Sequence, residues 1–180
     1  MTCIAAVADG RRVWVGADSF AGDDCTYVTN RSPKVRKLGT WIVGASGAQR
    51  VVDAALYLMS PEPVADADPE EYVRIVFVER LRQVLTQIGA VGRSENGSTC
   101  FNGNLIVGTA GRLFYVSDDF GVVSAPEWGI AAGTGETSAL AALFTLRNSK
   151  MRPASRVRAA LEAAEATMNQ VRSPFIVEVL

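Results

Sequence analysis

Apolar residues in this 180-residue chain come in blocks, first as short continuous runs between turns and then at helical spacing, and no other feature limits the fold so tightly. Cys3 to Ala8 and Val13 to Ala17 are short apolar runs parted by the turn residues Asp9-Gly10. After a polar stretch around Gly22-Asp23-Asp24, Val35 to Leu38 and Trp41 to Ser46 flank Gly39-Thr40 as a second hairpin. Both hairpins are apolar on both faces, so at least one sheet is expected to be covered on two sides. The period then changes. Val51, Val52, Ala55, Leu56 and Met59 form a helical stripe that Pro61 and Pro63 end. Asp68 as N-cap, with Pro69, Glu70 and Glu71 in the first turn, starts a second helix whose stripe runs from Val73 to Ile88. Gly89 and Gly92 read as its terminators, and Ser94 to Asn104 as a loop.

Strands return at Leu105 to Thr109, Leu113 to Ser117, Gly121 to Ser124 and Gly129 to Ala132, after which Gly133-Thr134-Gly135 breaks the sheet. Ser138 to Asn148 reads as a helix, Pro153 as an interruption, Ser155 as the cap of a last helix through Met168, and Phe175 to Leu180 as a final strand. Two strand blocks, each followed by a helix pair, predict an α+β fold. Its expected form is a four-layer α-β-β-α sandwich, two mainly antiparallel sheets between helix pairs, as a single domain over residues 1–180.

Composition narrows the function. The chain has no histidine, which excludes a Ser-His-Asp triad, a Cys-His dyad and the usual His-bearing zinc sites. No cofactor or metal is expected. A net charge of -1 argues against a nucleic-acid or membrane-surface binder working by bulk electrostatics. Cys3, Cys25 and Cys100 are odd in number and contain no CxxC pair, which fits a reducing compartment. No apolar run approaches a membrane span, and the N-terminus lacks the basic region of a secretory signal, so the expected location is the cytoplasm.

Three positions can carry chemistry without imidazole. Removal of Met1 would expose Thr2, a hydroxyl beside its own α-amine, and an amine titrating near pH ~8 can accept a proton at neutral pH. The same residue is also simply where a strand begins. Lys34 is one of only three lysines against 15 arginines; it is either a surface cation among Arg31, Arg36 and Lys37 or a group chosen because burial can tune it. Asp18, at the end of an apolar strand, is either a turn residue or a carboxylate drawn inward beside a cation.

The combination resembles the proteasome β-subunit family, and its short bacterial member, the HslV peptidase, most of all. The likeness rests on Thr2-Cys3-Ile4-Ala5-Ala6-Val7, Val15-Gly16-Ala17-Asp18, Pro33-Lys34-Val35-Arg36-Lys37-Leu38 and Ile42-Val43-Gly44-Ala45-Ser46-Gly47. Asn104-Leu105-Ile106-Val107-Gly108 and Ala131-Ala132-Gly133-Thr134-Gly135 extend it in order along nearly the whole chain. The resemblance implies an N-terminal-nucleophile (Ntn) hydrolase fold and a threonine-type endopeptidase acting on unfolded polypeptide. Thr2 would be the nucleophile, its α-amine the base, Lys34 a positive field, Asp18 the holder of Lys34, and the Gly47 N–H an oxyanion donor. By the same analogy Ala21, Gly22, Ser32, Ala45 and Gln49 would border the substrate side-chain pocket. It implies self-association into rings and an ATP-dependent unfoldase partner.

Two departures stand out. Thr134 replaces the family's usual serine, keeping a hydroxyl. No Asp follows Asp119, so the family's late acid is missing, and Asn169 is the polar residue offered in its place. An amidohydrolase of small amides and a catalytically inert ring scaffold are the alternatives.

Overall fold

A computed structural model describes residues 1–23, 25–64 and 67–180. The first hairpin is β1 (Cys3–Ala8) with β2 (Val13–Ala17), turned by Asp9-Gly10, where Gly10 takes φ +80° and the Asp9 carboxylate accepts from the Arg11 and Arg12 N–H groups. A short hairpin follows, β3 (Phe20–Gly22) and β4 (Tyr27–Thr29), then the expected pair β5 (Val35–Leu38) and β6 (Trp41–Gly47). Helix α1 (Gln49–Asp53) runs on through one wide turn, Ala54–Leu58. Helix α2 (Pro69–Tyr72) passes through a second wide turn, Val73–Phe77, into α3 (Val78–Gln87). The Asp68 carboxylate accepts from the Glu71 N–H at 3.1 Å, the cap that the sequence predicts.

The second strand block is β7 (Val91–Arg93), β8 (Thr99–Phe101), β9 (Gly103–Thr109), β10 (Arg112–Val116), β11 (Val122–Ser124) and β12 (Ile130–Gly133). Helices α4 (Glu136–Thr145) and α5 (Pro153–Thr167) and strand β13 (Ile176–Val179) complete the chain. One sheet has the order β12-β1-β2-β13, the other β11-β10-β9-β6-β5, and every pairing is antiparallel.

The two-residue period explains the layering. Cys3, Ala5 and Val7 of β1 pack with Ala139, Leu143, Val157 and Leu161 of α4 and α5, while Ile4 and Ala6 face Ile42 and Ile106 of the other sheet. Trp41, Val43 and Ala45 of β6 point the opposite way, onto Leu56, Phe77, Leu81 and Leu85 of the α1–α3 layer. The sandwich is therefore α4–α5, sheet, sheet, α1–α3, the four-layer α+β arrangement read from the sequence. Gly44 sets the spacing between sheets: a Cβ there would sit 2.7 Å from Ile4 Cγ2.

Several expectations need correction. The stretch around Gly22 and Asp23 is paired, as β3–β4, with Phe20 stacked on Tyr27; Asp24 lies outside the described residues. Ser94 to Asn104 is not a plain loop, because β7 pairs with β8 and Gly92 sits inside that hairpin. These strands have three residues each, too few to show a period, and are held by backbone pairing plus Phe101 against Phe120. Pro153 does not interrupt a helix; it occupies the first turn of α5, where its missing N–H costs nothing, and Arg152 is the N-cap. Helix α4 starts earlier than expected, at Glu136, and ends at Thr145.

Gly44→Ala is expected to lower stability by about 1–3 kcal/mol through overpacking against Ile4, read as a lower urea midpoint.

Candidate active site

The three residues singled out for chemistry converge at the open end of the sheets. Thr2 enters β1, Asp18 follows β2, and Lys34 precedes β5, so two hairpins from different sheets bring them together. All three are buried, Lys34 with only 5% exposure. Lys34 Nζ lies 3.0 Å from Asp18 Oδ1 and donates to the Met1 carbonyl at 3.1 Å. That carbonyl also accepts from Thr2 Oγ1 at 2.5 Å. Asp18 is fixed by backbone donors as well: Cys3 N–H to Oδ1 and Phe20 N–H to Oδ2, both 2.9 Å. The turn-residue and surface-cation alternatives are thereby set aside in favour of an inward ion pair.

Burial is the main influence on Lys34 and holds its ammonium below the ordinary lysine range, with Asp18 pulling the other way. The Met1 amine is lowered too, first by burial and then by repulsion from Lys34. The neighbouring Cys3 thiol is pushed up to about 12, chiefly by burial and then by the Asp18 carboxylate. Cys3 is thus held as the thiol, the weakly nucleophilic form.

A cleft of about 1080 Å³ opens beside Thr2. Ser46, Gly47, Ala48, Arg50 and Val51 line one side, and Gly133 and Thr134 another. Gly47 holds φ +115° and faces the Asn102–Gly103 backbone so closely that a Cβ would lie 2.3 Å from Asn102 O. Only glycine fits there. The Gly133-Thr134-Gly135 turn abuts Thr2 from the other side, with Gly135 N–H directed at the Thr2 carbonyl at 3.4 Å.

The other residues named from the sequence fall elsewhere. Ala45 is fully buried among the residues packed on α1–α3, because its place in β6 turns it away from Ile42 and its intersheet neighbours. Ala21 and Gly22 lie on the β3–β4 hairpin, Ser32 is exposed in the turn before Lys34, and Gln49 is exposed and donates to Asp53. None of these five is among the residues lining the cleft. Asn169 is exposed in the turn after α5 and does not line it either. Sequence reasoning missed the wall that does: Val91 and Gly92 of β7, Cys100 and Phe101 of β8, and Asp118. Phe101 was the one available signal, an aromatic in an otherwise polar run. Glu136, directly after the turn, was also missed; burial raises its carboxyl, and its charge is felt at Cys3. Among the described residues no three His, Cys, Asp or Glu side chains gather as metal ligands, and no helix is long and apolar enough to cross a membrane.

The fold, with its strand-initial threonine beside a buried Lys-Asp pair, is that of the proteasome-type Ntn hydrolases. Among solved structures, BPH of Thiobacillus denitrificans in complex with epoxomicin superposes with a TM-score of 0.81 at 15% identity, covering 99% of this chain and 98% of that one. HslV from Trypanosoma brucei superposes at 0.70 and 19% identity, covering 99% of both chains. Anbu, an ancestral β-subunit from Yersinia bercovieri, superposes at 0.70 and 14% identity over 99% of this chain and 81% of that one. No protein-family model and no curated protein matches the sequence. The shared feature is the fold, at identities too low to carry function with it.

Asp18→Asn strands a buried ammonium and is expected to cost about 3–5 kcal/mol, whereas Asp18→Asn with Lys34→Met regains most of that loss in urea melts. With iodoacetamide at pH about 9, where a free thiol is largely thiolate, Cys25 is expected to label and Cys3 to stay unmodified in the native protein.

Proposed function

We propose that this chain is a threonine-type peptidase in which Thr2, once Met1 is removed, is an N-terminal nucleophile. The observation that carries this reading is the buried Lys34 Nζ, bound to Asp18 and donating to the carbonyl that precedes Thr2, while Met1 and Thr2 themselves line a cleft roomy enough for an extended chain. Loss of Met1 would convert the Met1–Thr2 amide nitrogen into a free amine at the same place. That amine has no proton to hold at neutral pH if the nearby Lys34 charge depresses it, and so it serves as base.

In the proposed step, Thr2 Oγ attacks the substrate carbonyl carbon while its proton passes to the α-amine. The Gly47 N–H stabilises the oxyanion, an effect of about 3 kcal/mol in comparable sites. Collapse returns the proton to the leaving amine, breaks the peptide C–N bond and leaves an ester on Thr2, which water then hydrolyses. Lys34 supplies positive charge throughout, and Asp18 holds it. The Thr134 hydroxyl, in the same cleft, orients the amine or the attacking water. Asn169 has no step in this scheme.

The substrate in this reading is unfolded polypeptide, and the protein acts as a self-associated assembly. An ATP-driven unfoldase partner rests on the resemblance alone. The openness of the cleft favours extended peptide over a compact amide.

The test is intact mass spectrometry with an epoxyketone peptide. Loss of Met1 together with one adduct on Thr2 is the expected result; a protein that hydrolyses peptides with Met1 in place would overturn the assignment. Thr2→Ala is expected to reduce peptide hydrolysis to background without unfolding the protein. Lys34→Arg is expected to lower kcat by about a hundredfold or more, since the guanidinium keeps charge but not shape or tunable basicity.

A further inference from the structure

Two charged side chains line the cleft among the described residues, Arg50 and Asp118, and the proposed reaction gives neither of them a step. Both are exposed, and neither makes a hydrogen bond or ion pair among the described residues. Their neighbours in sequence behave differently. Gln49 donates to Asp53 along α1, while Asp119 accepts from Ser117 Oγ and from the Gly121 N–H at 2.8 Å, closing the turn after β10. Gln49 and Asp119 serve local structure. Arg50 and Asp118 present free charge to the cleft.

The mount of Asp118 is rigid. Its carbonyl accepts the Phe101 N–H, and the Ser117 carbonyl accepts the Phe120 N–H, both at 2.9 Å. Phe120 takes φ +66°, a left-handed conformation that bulky residues seldom adopt, and its ring packs on Phe101 with centroids 4.8 Å apart. Such strain persists only where the surroundings over-determine it, and it recurs at ligand sites. Strand order gives the distance to the reacting end. Gly47 of β6 pairs with Gly103 of β9, and β10 lies on the far side of β9. With strands about 4.8 Å apart, Asp118, just past β10, lies about 10 Å from Gly47, or about three residues of extended chain. Arg50 stands on the other wall, in the first turn of α1.

We propose that the cleft selects polypeptide segments of mixed charge, Asp118 binding a lysine or arginine side chain about three residues from the cleaved bond and Arg50 an aspartate or glutamate at the opposite wall. This inference rests on the peptidase reading and narrows its substrate class. Ala48, Val51, Ala90 and Val91 give the remaining lining an apolar character, so these two points of charge are what tell one extended chain from another. Both lie away from the reacting atoms. They hold substrate and transition state alike, and so act on KM more than on kcat.

The test is hydrolysis of internally quenched peptides of equal length that place Lys, Glu or Ala in turn at each of the positions flanking the cleaved bond. At about 0.05 M salt, one Lys position and one Glu position are each expected to raise kcat/KM about fivefold over Ala, and about 0.5 M salt to remove most of that gain. Asp118→Asn, which keeps the backbone bond to Phe101, is expected to abolish the Lys gain alone, and Arg50→Gln the Glu gain alone. Asp118→Lys turns the Lys preference into a Glu preference at the same position. Glu95→Gln makes the same change in net charge on the β7–β8 turn, outside the cleft lining, and leaves both preferences in place. Equal kcat/KM for all peptides, or a preference that survives its own substitution, overturns the proposal and leaves the peptidase reading standing. If no peptide is hydrolysed, fluorescence anisotropy of the same sequences carrying one dye reads the preferences as Kd ratios. Selective binding without hydrolysis then removes the peptidase reading and keeps the charge selection, whereas absent or unselective binding overturns the charge selection itself.

Discussion

One buried ion pair, Lys34 with Asp18, joins the two sheets at the end where the site lies. Asp18 leaves the β2 strand of one sheet and Lys34 enters the β5 strand of the other, so their 3.0 Å contact bridges the layers. The same carboxylate also takes the Cys3 and Phe20 N–H groups, which fixes the start of β1 and the turn into β3. A single aspartate thus positions the start of β1, which follows Thr2, and the buried cation of Lys34. Stability alone gives little reason for such a pair, because an apolar substitute of equal volume is often neutral or better in a protein interior. Its presence beside a core otherwise built from Ala, Val, Ile and Leu sets this place apart from the rest of the interior and supports the proposed chemical role.

The rest of the sandwich keeps that pair dry and in register. Sheet one is covered by α4 and α5 and sheet two by α1 to α3, so neither flank of the site is open to solvent through the sheets. Close approach of the sheets depends on small residues where β1 and β6 face each other. Gly44 under Ile4 is one such place, and Ala6 of β1 is another. Larger side chains there would part the layers and lengthen the Lys34–Asp18 contact, and an ion pair loses its compensation for desolvation quickly as it opens. Packing and chemistry are therefore coupled through a few small residues remote from the cleft.

The layered fold was legible because period and capping agreed in the long elements. Asp68, Pro69 and Glu71 announced α2, and the continuous apolar runs of β1 and β6 announced sheets buried on both faces. The ion pair was legible only in combination, since Lys34 and Asp18 each have an ordinary reading alone. What could not be read was the cleft's far wall. Strands β7 and β8 are three residues long and flank the polar, turn-forming stretch 94–98, and their pairing is fixed by backbone bonds that leave no periodic trace. Ala45 shows the reverse failure. The family resemblance implied a place beside the pocket, but strand alternation sends it to the helical side, into the core.

The absence of histidine gives these observations a common logic. Without imidazole, few groups on a protein can accept a proton near neutral pH: a carboxylate raised by burial, a lysine lowered by it, or the chain's own α-amine. Here Asp18 is committed to an ion pair and Lys34 to two acceptors, so neither is free to take a proton from Thr2. A thiol at Cys3 is held protonated by its surroundings. The amine that would follow from loss of Met1 is the remaining group, and it is placed next to the one positive charge able to lower its affinity for a proton. The buried lysine then needs no change of protonation to be useful. In the proposed reaction its field would act on that amine, and the burial that makes the lysine costly to fold around would also keep water from screening it.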